Sequence, residues 1–125
     1  MYGIRTSPAG DYLMVTLSGF WDAEEGRRFA EELRSVAPAN AREPLLCLVD
    51  GREFHVQSQE TLAILEDLRI SLAGRMEWVI AFPSALLRRQ TERISGGGEG
   101  HIFDNIGDAI ACVTALAVER RRPER

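Results

Sequence analysis

Two uninterrupted apolar runs, Leu45-Leu46-Cys47-Leu48-Val49 and Trp78-Val79-Ile80-Ala81-Phe82, flank an amphipathic stretch in the middle of the chain. Neither run alternates with polar residues, which is the pattern of strands covered on both faces. Between them Leu62, Leu65, Leu68 and Leu72 recur at helical spacing over residues 58–73, with Ser58 placed to cap the helix and Gly74 to stop it. A strand, a helix and a returning strand form a right-handed crossover, so the two runs should lie parallel. The first run ends at Asp50, and residues 51–57 are expected as a loop. Open α/β sheets usually place working residues after the carboxyl ends of their strands.

The flanks extend this unit. Residues 2–6 and 12–18 are joined by Pro8-Ala9-Gly10-Asp11, a turn composition that predicts an antiparallel hairpin. Leu13, Val15 and Leu17 alternate with more polar neighbours, and Gly19 closes the second strand. Asp22 followed by Glu25 is a capping signal for a first helix. That helix turns Phe29, Leu33 and Val36 inward and Glu24, Arg27, Arg28, Glu31 and Arg34 outward, and Pro38 ends it. Pro83-Ser84 opens a third helix, weakly amphipathic through Leu86, Leu87 and Ile94. The glycine-rich run 96–100 is a linker: it follows a helix and precedes a strand, the reverse of a phosphate-cradling loop. His101-Ile102-Phe103 is a short strand, and Asn105 with Asp108 starts a last helix presenting Ile106, Ala109, Ile110, Val113 and Leu116. The expected fold is a single α/β domain with an opening β-hairpin, a mixed but mostly parallel sheet of about five strands, and about four helices. The domain should span residues 1–118, and 119–125, including Arg120-Arg121-Arg122, should be a charged, solvated tail.

Composition narrows the function. A chain of 125 residues, 45% hydrophobic and 27% charged, fits one globular domain. Its net charge of -4 argues against nucleic acid as a partner, which needs a concentrated cationic surface. All fifteen basic residues are arginine, so lysine-dependent phosphate loops and Schiff bases are excluded. No apolar run approaches the roughly 20 residues of an integral membrane segment. The amino terminus has no signal-like pattern, and a cytoplasmic location is the expectation. Cys47 and Cys112 lie singly in apolar segments and give neither a disulfide framework nor, with His55 and His101, a paired metal-ligand spacing. No metal and no cofactor is expected.

The order β-β-α-β-α-β-α-β-α resembles that of a STAS domain, the fold of anti-sigma factor antagonists and sulfate-transporter tails, and the chain is most similar to its SpoIIAA-like branch of small bacterial proteins. The likeness is carried by Ser18-Gly19-Phe20 before the first capped helix, by Leu48-Val49-Asp50 with Phe54 beyond, by Glu77-Trp78-Val79-Ile80-Ala81, and by Ile102-Phe103-Asp104 before an alanine-rich last helix. It covers residues 2 to 117. It implies a non-enzymatic regulatory or protein-interaction module. Antagonists of this type carry a kinase-phosphorylated serine at the start of the second helix, which Ser58 matches by position. The flanking run departs from the family's Asp-Ser-Ser-Gly-like pattern, reading Val56-Gln57-Ser58-Gln59-Glu60 instead.

Ser58 therefore has two readings, a phosphorylation switch at a helix amino terminus and a plain N-cap, and the cap is the commoner. Asp50, His55 and Ser58 supply acid, base and nucleophile types, but within nine consecutive positions and without a nucleophile elbow, so no catalytic residues are assigned. The expected contact surface for a protein partner, kinase-like or otherwise regulatory, comprises Phe54, His55, Gln57, Ser58, Gln59 and Glu60, with Trp21 as an exposed anchor. The alternative is a small-molecule or lipid carrier with an apolar pocket between sheet and helices. The hairpin's free edge could also pair two copies into a homodimer.

Overall fold

A computed structural model describes residues 1–37, 43–95 and 100–121. The elements follow the expected order: β1 (Tyr2–Thr6), β2 (Leu13–Gly19), α1 (Ala23–Val36), β3 (Leu45–Phe54), α2 (Gln59–Ser71), β4 (Met76–Ala81), α3 (Ala85–Ser95), β5 (Gly100–Phe103) and α4 (Ile106–Arg120). The sheet runs β1-β2-β3-β4-β5, with β1 and β2 antiparallel and every other neighbour parallel. The two apolar runs lie side by side in one direction, Cys47 opposite Trp78 and Val49 opposite Ile80.

Strand alternation splits the core between the two faces of the sheet. Leu13, Val15, Leu17, Cys47 and Val49 pack with Phe29, Leu33, Leu68 and Leu87 from α1, α2 and α3. On the other face Leu46, Leu48, Val79 and Ala81 pack against Ala109, Val113 and Ala117 of α4. Small residues on α4 let a single helix lie close to β3 and β4. Three helices share the first face, and a gap opens between two of them.

Local signals explain the helix ends. Asp22 accepts from the Glu25 N–H, Ser58 from that of Thr61, and Asn105 from that of Asp108. The Asn105 side-chain amide also donates to the Asp108 carboxylate at 2.8 Å. The Ser84 hydroxyl accepts from Leu87 N–H at 3.2 Å at the start of α3. Gly74 takes φ +76° just beyond α2, a conformation that favours glycine.

Several expectations are corrected. Residues 51–54 are not loop: β3 continues through Phe54, pairing Glu53 with Ser18 and Phe54 with Gly19 across an irregularity in the β2 register. Val36 is exposed, because the apolar stripe of α1 closes at Leu33 and Ala37. Leu86 is likewise exposed, leaving Leu87 as the buried leucine of that pair. The carboxyl-terminal tail does not begin at residue 119, since α4 runs through Arg120. Arg120 is not solvated but half-buried, donating to the Pro44 carbonyl and pairing with Glu77 and Glu43. Arg121 approaches Asp11 at 3.4 Å. Pro38, the linker residues 96–99, Arg122 and the side chain of Ile94 lie outside the described residues.

Candidate functional site

Two regions have the geometry of a site. The first lies where β2 and β3 end. Gly19, at φ +79°, turns the chain so that its carbonyl accepts the His55 N–H at 3.1 Å, bringing residues 19–21 beside 55–57. Gln57 fastens the two segments. Its side-chain carbonyl accepts the Trp21 N–H at 2.9 Å, while its amide donates to the Gly19 and His55 carbonyls at 3.0 and 2.6 Å. Thr61 adds a hydroxyl bond to the Trp21 carbonyl at 3.2 Å.

This clasp removes three residues from the expected contact surface. Trp21 is 0% exposed, its indole N–H donating to the Ser18 carbonyl and its ring set edge-on against Tyr2, Phe29 and Phe54. Phe54 and Gln57 are buried with it. The physical reason is that aromatic packing on the α1 face takes the larger ring, leaving the adjacent Phe20 62% exposed. His55, Gln59 and Glu60 are exposed and Ser58 is half-buried.

The Asp50, His55 and Ser58 groups are not assembled. Both Asp50 oxygens are taken by Arg52, whose Nε and terminal nitrogen donate at 2.9 and 2.8 Å. That hydrogen bonding holds the Asp50 carboxyl below the usual carboxylate range, even though partial burial opposes it. The Ser58 hydroxyl accepts the Thr61 N–H and meets the Thr61 hydroxyl, both at 3.2 Å. Among the described residues no hydrogen bond joins any two of the three, and no cluster of three or more His, Cys, Asp or Glu is placed to hold a metal. Cys47, fully buried, has its thiol pushed far up by desolvation, which suppresses thiolate chemistry.

The second region is the gap on the three-helix face. A cavity of about 390 Å³ lies between α2 and α3, floored by Val49, Trp78, Ile80 and Ile102 from β3, β4 and β5. Leu62, Leu65 and Arg69 line it from α2, and Leu87, Thr91 and Glu92 from α3. Phe54 and Phe82 close the end at the strand carboxyl termini. Leu62, Leu65, Trp78, Ile80 and Ile102 are all half-buried, unlike the sealed residues beneath α1. Leu62 and Leu65 thus form the wall of this opening rather than closed core. Sequence reasoning named the pocket only as an alternative and did not single out Arg69. A signal existed: Arg69 stands four residues after Leu65 and seven after Leu62, a charge on an apolar stripe.

No protein-family model matches the chain, and no curated protein matches it. Among solved structures it is similar to an uncharacterized protein of the DUF3478 family with a SpoIIAA-like fold from Shewanella loihica PV-4. The TM-score is 0.70 over 90% of this chain and 92% of that one, at 19% identity. The chain has a SpoIIAA-like fold. At this identity the likeness concerns the fold alone. Among the described residues no helix is long and apolar enough to cross a membrane.

Proposed function

We propose that this protein is a non-enzymatic carrier or sensor that holds a small apolar molecule between α2, α3 and the sheet. The observation behind this reading is the 390 Å³ cavity, whose size falls within the range of small-molecule pockets and whose walls are mainly aliphatic and aromatic. A tightly packed core would have interdigitated Leu62 and Leu65 with Ile80 and Ile102 instead of leaving all four half-buried. The test uses the full chain purified without detergent. Native mass spectrometry should find a retained small molecule or, with dodecanol added, a one-to-one adduct, accompanied by a change in Trp78 fluorescence. Ile80→Trp, which fills the floor, should abolish the adduct. A bare mass that dodecanol does not alter would overturn this reading.

A second reading, a protein-interaction surface, is supported by Phe20. It stands 62% exposed next to Gly19, whose carbonyl accepts the His55 N–H, and His55, Val56, Gln59 and Glu60 are exposed as well. Such an aromatic anchor with a polar rim suits a regulatory protein partner. Phe20, rather than Trp21, is then the anchor. Phe20→Ala should lose a partner recovered by pull-down with the wild-type chain, and retention of that partner would remove this reading.

A further inference from the structure

The guanidinium of Arg69 is the one charged group inside the cavity wall whose Nε is both buried and without a hydrogen-bond partner among the described residues. No ion pair of Arg69 is present among those residues either. A buried, unmatched charged donor is costly, and native structures rarely tolerate one unless something answers it. Arg69 also occupies a distinct end of the cavity. Because β3 and β4 are parallel, α2 runs back against them, so its last turn lies near the start of β4. Trp78 and Gly100 pair there, and α3, returning in the same way, brings Thr91 and Glu92 to that end. Phe54, Phe82 and Leu87 lie at the opposite, wholly apolar end. The cavity is therefore polarised along its length. Glu92, at the same end, is exposed and has a partner of its own.

From this polarity we infer that the ligand is a single-chain amphiphile with an anionic head, of the fatty-acid class. Its carboxylate pairs with Arg69 and its chain runs over Ile80 and Ile102 toward Phe82. This rests on the carrier reading above and adds the charge and direction of the ligand. A carboxylate is the natural answer to a guanidinium fork, and a pair formed away from bulk water gains most from charge-assisted hydrogen bonding.

Dodecanoate, dodecanol and dodecylammonium, each below its micelle concentration at neutral pH, separate the possibilities through titration of Trp78 fluorescence on the full chain. Dodecanoate is expected to bind at least about 10-fold more tightly than dodecanol, with dodecylammonium weakest. Arg69→Met keeps the apolar volume and should erase the preference for the acid over the alcohol. Arg69→Lys should retain part of it. Equal affinity of the wild-type chain for acid and alcohol would overturn the anionic head while leaving the carrier intact. Binding of none of the three would remove both. Persistence of the preference in Arg69→Met would also overturn the assignment.

Discussion

Gly51 lies so close beneath Phe82 that a Cβ added to it would stand 2.0 Å from Cε1 of the ring and 3.2 Å from the Ala81 carbonyl. Glycine is required there by the close approach of β3 to a core aromatic. The same ring closes the apolar end of the cavity, so a backbone position in the sheet is mechanically linked to the cavity.

Gly51→Ala should therefore act in two ways. Overpacking of this kind costs about 1–3 kcal/mol, to be read from the denaturant midpoint. The ring has one roomy side, the cavity, and its displacement into that space should weaken dodecanol binding. Combining Gly51→Ala with Phe82→Leu should recover stability beyond additivity by more than about 0.5 kcal/mol. Additive effects in the double variant would show that the two positions are not in contact.

Gln57 tests the clasp between the ends of β2 and β3. Removing its side chain orphans the Trp21 N–H and the Gly19 and His55 carbonyls together. Gln57→Ala should lower stability by about 2–4 kcal/mol in chemical denaturation. Gln57→Glu should be worse at neutral pH, since a carboxylate would face two carbonyl oxygens without a proton to offer. A loss below about 0.5 kcal/mol for either, the usual scale of surface substitutions, would contradict a buried structural role.

How much of this was legible follows from which interactions are local. Caps depend on a few neighbouring residues, and Asp22, Ser58 and Asn105 cap the three helices at whose starts the sequence placed them. The parallel pairing of β3 with β4 followed from the helix between them, which makes their connection a crossover, and their interior place from unbroken apolarity. What was not legible was decided by distant contacts. Asp50-Gly51-Arg52-Glu53 has a loop composition, yet β2 pairs with it beyond the point where β4 ends. Adjacent Phe20 and Trp21 carry no local sign of which one faces inward, and Tyr2, Phe29 and Phe54 decide it. The leucine stripe of α2 has the same pattern whether it meets a filled core or a cavity, and only the placement of α3 distinguishes them.

Ser58 caps α2, and the cap predicts an asymmetry between two substitutions. Ser58→Ala removes the acceptor for Thr61 N–H and should cost about 1 kcal/mol. Ser58→Asp replaces one good cap with another and adds negative charge at a helix amino terminus, so its stability should stay within about 0.5 kcal/mol of wild type. Thermal melts of both variants check this. If Ser58→Asp leaves folding intact yet loses a partner held through Phe20, the cap is also a switch, whereas unchanged partner affinity retires the switch.

The Asp50–Arg52 pair gives a pH dependence whose direction is fixed. Arg52 lowers the folded-state pKa of Asp50 beneath its unfolded value, so the folded chain binds this proton less readily than the unfolded one. The resulting stabilisation is fully present above the unfolded carboxylate value of about 4 and is lost as pH falls through the lower folded value. Arg52→Ala removes the cause of the shift. The stability of that variant should fall less steeply below about pH 4 than that of wild type, the two curves converging in acid. Because Arg52 is largely in water, added salt should also shrink the difference between them. Parallel curves of denaturant midpoint against pH, with no convergence, would mean that Arg52 does not set the ionisation of Asp50.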